Sequence, residues 1–146
     1  MALKYYLLLI VLVVLIIIPF YEHDNSYSCR YDPGELSAEI TQGRVYYFRV
    51  FVECRAVFNE DELDELYRAA GLFLKKKPEE FLKVISEFNI EGHDLKNLLT
   101  MLPLTNSGTI DQKHAELKER IQLVQALADS KTKPKVLGIL VDALTR

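Results

Sequence analysis

Tryptophan is absent from this 146-residue chain, and cysteine (two), proline (five) and glycine (six) are all scarce. So little proline and glycine, with charged residues at 27%, excludes collagen-like, low-complexity and wholly disordered classes. Positive charge is not in excess either. The 18 basic side chains against 21 acidic ones give a net charge of −3, and a pI near 5.6 argues against a nucleic-acid binder. The two cysteines lack the paired C-x2-C spacing of a zinc site. No Walker loop, dinucleotide-binding glycine pattern, HExxH or G-x-S-x-G is present. The sequence therefore points away from an enzyme, and no cofactor or metal is expected. None of the Asn residues opens an N-x-S/T sequon, so glycosylation offers no clue to compartment.

The 49% of hydrophobic residues are not spread evenly but piled at one end. Tyr5 to Tyr21 runs without a charge, with aromatic residues at both ends and the unbroken apolar stretch Leu7–Ile18 between them. As a helix rising ~1.5 Å per residue this stretch is about 25 Å long, near the short limit for crossing a bilayer core of ~30 Å. Lys4 and the amino terminus flank one end while Glu22 and Asp24 follow the other, which orients the N-terminus to the cytoplasm and the bulk of the chain outside it. The span carries no charge and no glycine, so it reads as a plain signal-anchor rather than an ion pathway or a dimer seam. The alternative is a cleaved signal peptide, whose apolar region has the same length, but Pro19-Phe-Tyr-Glu-His-Asp24 offers no small-residue cleavage pair. Either reading makes the remainder extracytoplasmic. The short anchor and missing sequons suit a bacterial or phage-encoded inner membrane, with a secreted or periplasmic form as the alternative.

The expected organisation is a cytoplasmic stub at 1–4, an anchor at 5–21, a polar linker at 22–34 closing in the turn Asp32-Pro33-Gly34, and a helical domain at 35–146. Cys29 and Cys54 both lie beyond the anchor. In an oxidising compartment they are expected to pair, closing a loop of ~25 residues worth roughly 3–4 kcal/mol.

Helical punctuation dominates the rest. Asn59 caps a helix over 59–77 whose apolar face is Leu63, Leu66, Tyr67, Ala70, Phe73 and Leu74. Pro78 ends it and starts another to about Phe88. Gly92 precedes a short helix that stops before Pro103. The box Thr109-x-x-Gln112 opens a long helix to about Ser130, with Ile110, Leu117, Ile121, Val124 and Ala128 facing inward and His114 on the same stripe. Pro134 starts a last helix that should bury Val136, Leu137, Leu140, Val141 and Leu144. Residues 35–58 are ambiguous, because Tyr46, Phe48, Val50, Val52 and Cys54 alternate like a strand. No second strand is visible to pair with it, so a helix, apolar on most sides, is the favoured reading. The expected fold is therefore all-α: a transmembrane helix followed by a bundle of about five to six short helices.

Among candidate sites, Glu60, Asp61, Glu62, Asp64 and Glu65 put five carboxylates into six residues. They complement the helix dipole, and they could also steer a basic protein partner, since the chain beyond Lys4 is net acidic. Glu91, His93 and Asp94 cluster at a turn, where a row of helix-start acceptors is the simpler reading than a metal site. Lys131, Lys133 and Lys135 form a small basic patch around Pro134. The leading functional expectation is a membrane-tethered adaptor or assembly domain that binds another protein and does no chemistry. The alternatives are a periplasmic or secreted inhibitor of the immunity type neutralising a basic partner, and a carrier of an apolar small molecule lined by Tyr46, Tyr47, Phe48 and Phe51.

Overall fold

A computed structural model describes residues 29–104 and 108–146. The expected anchor at 5–21 lies outside them. Among the described residues every regular element is helical, and no helix is long and apolar enough to cross a membrane. Among the described residues seven α-helices follow one another: α1 Pro33–Thr41, α2 Val45–Cys54, α3 Glu60–Lys76, α4 Pro78–Glu87, α5 Gly92–Thr100, α6 Ile110–Gln125 and α7 Lys133–Thr145. A 3-10 turn, Arg55–Val57, joins α2 to α3.

Local chemistry sets these boundaries. Asp32 does not end a linker turn; its side chain accepts from the Glu35 N–H at 3.0 Å and, with Pro33 in the first turn, starts α1. The stretch 35–58 is helical, as favoured, but broken in two. Gly43 takes φ +86°, open without penalty only to glycine, and redirects the chain between α1 and α2. Asn59 and Glu62 form a reciprocal capping box at the head of α3, each side chain accepting from the other's backbone N–H.

The apolar faces then close around α3, which touches α1, α2, α4, α5 and α6; α7 lies against α6 and α5. Phe48 of α2 stacks between Phe73 of α3 and Phe81 of α4, with ring centres at 4.4 and 5.2 Å. Phe51 meets Tyr67 edge-on at 5.6 Å. Leu36, Ile40, Leu66, Leu74, Leu95 and Leu98 complete the centre of the core.

Three burial expectations need correcting. Ile110 is 73% exposed, although it shares a face with Leu117. Seven residues place it about 10 Å further along the axis, so periodicity identified the face but not where the neighbouring helices stop. Ala128 is exposed and outside α6, which ends at Gln125 because the Leu127 N–H turns back to the Val124 carbonyl in a tighter, 3-10-like bond. Val141 is 47% exposed: α7 buries only Val136 and Leu140 fully, with Leu137 and Leu144 partly covered.

Candidate functional site

The acidic run occupies the first turns of α3, directly after the 3-10 turn. Glu62 is drawn into the capping box, whereas Glu60, Asp61, Asp64 and Glu65 are exposed and form no ion pair with any described residue. Some surface carboxylates elsewhere are matched, Glu39 by Arg44, Glu87 by Arg49 and Glu91 by Lys135, while isolated ones such as Glu35 and Asp111 form no ion pair with a described residue; what sets the start of α3 apart is that four lie together. The four thus present uncompensated negative charge, stabilised locally by the unpaired N–H groups of the helix start.

The platform beneath is held from two sides. Cys54, at the last residue of α2, is bonded to Cys29 with Cα atoms 5.3 Å apart, as the sequence suggested. Tyr31 packs edge-on against Tyr47 and shares a 3.0 Å hydrogen bond with the Tyr46 hydroxyl, pinning the segment before α1 to α2. On the other side Arg55 donates to Asp94 of α5 at 2.7 Å and to the Val52 carbonyl, while the Tyr67 hydroxyl donates to the other Asp94 oxygen at 2.9 Å. Burial and the Asp94 carboxylate push the Tyr67 hydroxyl up to about 12, so it stays a proton donor. Burial of Asp94 opposes its ionisation, but Arg55 and Tyr67 outweigh that and hold its carboxyl below the usual range.

Glu91, His93 and Asp94 are not brought together as a ligand set. Glu91 accepts from Lys135 at 2.5 Å, His93 shares a hydrogen bond with Asn97, and Asp94 is engaged by Arg55 and Tyr67. Among the described residues no group of three metal-type ligands converges. The basic patch is divided too. Lys133 donates to the Leu127 carbonyl and to Asp129, and Lys135 to Glu91, which leaves Lys131 exposed. His114 is half-buried on α6. The aromatic group named for an apolar ligand separates, with Phe48 and Phe51 packed in the core while Tyr46 is 49% exposed.

Sequence reasoning passed over a buried ionic network. Arg120 of α6 is fully buried; its guanidinium donates to the Leu99 carbonyl at the end of α5 (2.6 Å) and, through Nε and Nη2, to Glu116 Oε1 (3.3 and 3.2 Å). Lys75 of α3 donates to Glu116 Oε2 at 3.1 Å and pairs with Glu119 at 2.8 Å. Three helices meet on these charges. Two signals were there to be read: the i, i+4 spacing of Glu116 and Arg120, and a glycine, Gly71, in the middle of the otherwise well-formed α3.

A cleft of about 560 Å³ opens between α4 and the connection from α6 to α7, floored by Leu82 and Leu127 and rimmed by Lys83 and Lys131. It shares no residue with the acidic turn. Compared with known proteins, the chain matches no family model, no curated protein and no solved structure.

Proposed function

We propose that the chain is a membrane-tethered, non-enzymatic adaptor domain that binds a basic protein partner on the extracytoplasmic side, through the first turns of α3. The observation that carries this reading is the set Glu60, Asp61, Asp64 and Glu65: four exposed carboxylates without an ion pair among the described residues, on a helix start fixed by its own capping box. Such a field raises the rate at which a basic surface docks and sets its orientation. The Cys29–Cys54 disulfide supports an oxidising compartment. The charge-free stretch Tyr5–Tyr21 supports a tether, and tethering raises the effective concentration of partners in the same membrane, so modest intrinsic affinity suffices.

The test is affinity capture of full-length protein from native membranes, comparing the natural chain with the E60K/D61K/D64K/E65K variant and carrying a topology reporter after Arg146. The reading requires a partner that the variant loses, an association rate that falls as salt is raised, and an extracytoplasmic reporter signal. Equal capture by the variant refutes the acidic docking surface, and a cytoplasmic reporter signal refutes the compartment.

A further inference from the structure

We infer that the cleft between α4 and the α6–α7 connection is a binding site for a small soluble organic monoanion with an apolar body. Its volume of about 560 Å³ falls within the ~300–1,000 Å³ typical of small-molecule sites. The floor is apolar: Leu82 is buried, and Leu127 is packed against the main core. A bare inorganic anion would leave that floor wet, so the occupant needs a ring or chain to cover it.

The charge of the occupant follows from the rim. Glu87 is neutralised by Arg49 at 2.5 Å and Asp129 by Lys133 at 3.3 Å. Lys83 and Lys131 are exposed and have no ion-pair partner among the described residues. Glu79 lies one turn before Lys83 in the first turn of α4, where the helix start already favours its charge. With Glu79 set against one lysine, a single positive charge is left over, which matches one carboxylate or sulfonate. Hydrogen-bond donors stand beside it. The Ser130 hydroxyl already accepts from the Lys133 N–H at 3.2 Å and keeps its own proton to donate, and Ser86 lines the α4 wall. The site is independent of the acidic turn of α3 and stands or falls separately from the proposed partner binding.

The probe is 8-anilinonaphthalene-1-sulfonate, titrated into the full chain in mild detergent at concentrations below its own aggregation, with backbone amide shifts recorded. Saturable shifts confined to 79–87 and 127–133 are expected, with binding about tenfold weaker for the K83M/K131M variant, which keeps the aliphatic stems but not the charges. The uncharged analogue N-phenyl-1-naphthylamine should bind at least about tenfold more weakly than the sulfonate. Free laurate should displace the probe, whereas phosphatidylglycerol added to the same detergent micelles should not. Shifts that map elsewhere, an unchanged affinity in K83M/K131M, equal binding of the neutral analogue, or displacement by phosphatidylglycerol and not by laurate each overturn the inference. Because both lysines are exposed, an unfolding midpoint equal to that of the natural chain confirms that the variant reports on binding and not on folding.

Discussion

Gly71 of α3 leaves the space that the Arg120 guanidinium of α6 fills: a Cβ on Gly71 would lie 2.5 Å from Nη2 and 2.9 Å from Cζ. Helix propensity alone makes Gly71→Ala stabilising by about 1 kcal/mol. Packing reverses the sign. The guanidinium cannot retreat without giving up the Leu99 carbonyl and Glu116, and every direction around it is filled. Gly71→Ala is therefore expected to destabilise by about 2–4 kcal/mol in urea unfolding. Paired with Arg120→Ala it should cost less than the two single changes summed, a coupling that a double-mutant cycle reads directly.

The same network sets a pH dependence. Burial disfavours the charged Glu116 carboxylate, but Lys75 and Arg120 more than compensate, so its pKa lies below the ordinary glutamate value of ~4.3. A depressed carboxylate contributes stability that is fully present above the unfolded pKa and is lost as pH falls through the lower folded one. Acidification from pH 6 to about 3 should therefore weaken the natural chain more steeply than the Glu116→Gln variant, which has no charge there to lose. Parallel pH curves for the two would refute the assignment. At neutral pH Glu116→Ala, which takes from the buried Arg120 the carboxylate it donates to and leaves only the more exposed Glu119 nearby, should cost about 3–5 kcal/mol.

Most of the helices could be read from the residues because their ends are chemically marked: Asn59 with Glu62, Pro78, Gly92, Thr109 and Pro134 all stand within a residue or two of an observed boundary. The break at Gly43 and the early end of α6 were less visible. One glycine in an ambiguous apolar stretch does not announce its φ, and the end of α6 depends on a single carbonyl choosing a nearer donor. The acidic turn was legible as a charge run, but that four of its carboxylates form no ion pair among the described residues was not, since pairs such as Arg49–Glu87 join residues far apart in sequence. Arg120 was hidden for a similar reason. A buried charge is defined by the three helices that converge on it, and periodicity assigns charged residues to the surface by default.

Position along the axis of α6, as distinct from angle around it, has a direct mutational signature. Ile110→Ser at the exposed overhang should change stability by less than about 0.5 kcal/mol, whereas Leu117→Ala on the same face should cost about 2–4 kcal/mol. Comparable losses for the two would restore Ile110 to the core.

Among the described residues, one solvent-shielded side-chain oxygen has no hydrogen-bond partner. Glu53 Oε2 on α2 is shielded from solvent and accepts no hydrogen bond from a described residue, a cost that an amide or apolar side chain of similar size would relieve. Glu53→Met should raise the unfolding free energy by about 1 kcal/mol at neutral pH, read from urea unfolding. A loss of stability in this variant would show that the carboxylate is engaged in solution.

The disulfide offers a test that joins stability to compartment. The Cys29–Cys54 bond encloses α1 and α2, and it holds the segment before α1 beside Tyr46 and Tyr47. With a sequence separation of 25, loop closure contributes about 3 kcal/mol, or roughly 10 °C in the unfolding midpoint of a domain this size. Dithiothreitol and the Cys29→Ala/Cys54→Ala double variant should lower the midpoint by the same amount, and dithiothreitol should leave the double variant unchanged. Helical circular dichroism at 20 °C should survive in both, because the stacked Phe48, Phe73 and Phe81 do not depend on the bond. Protein isolated from cells that reacts with maleimide at both cysteines before any reductant is added would show that the chain matures in a reducing compartment, and the extracytoplasmic reading would fall with it.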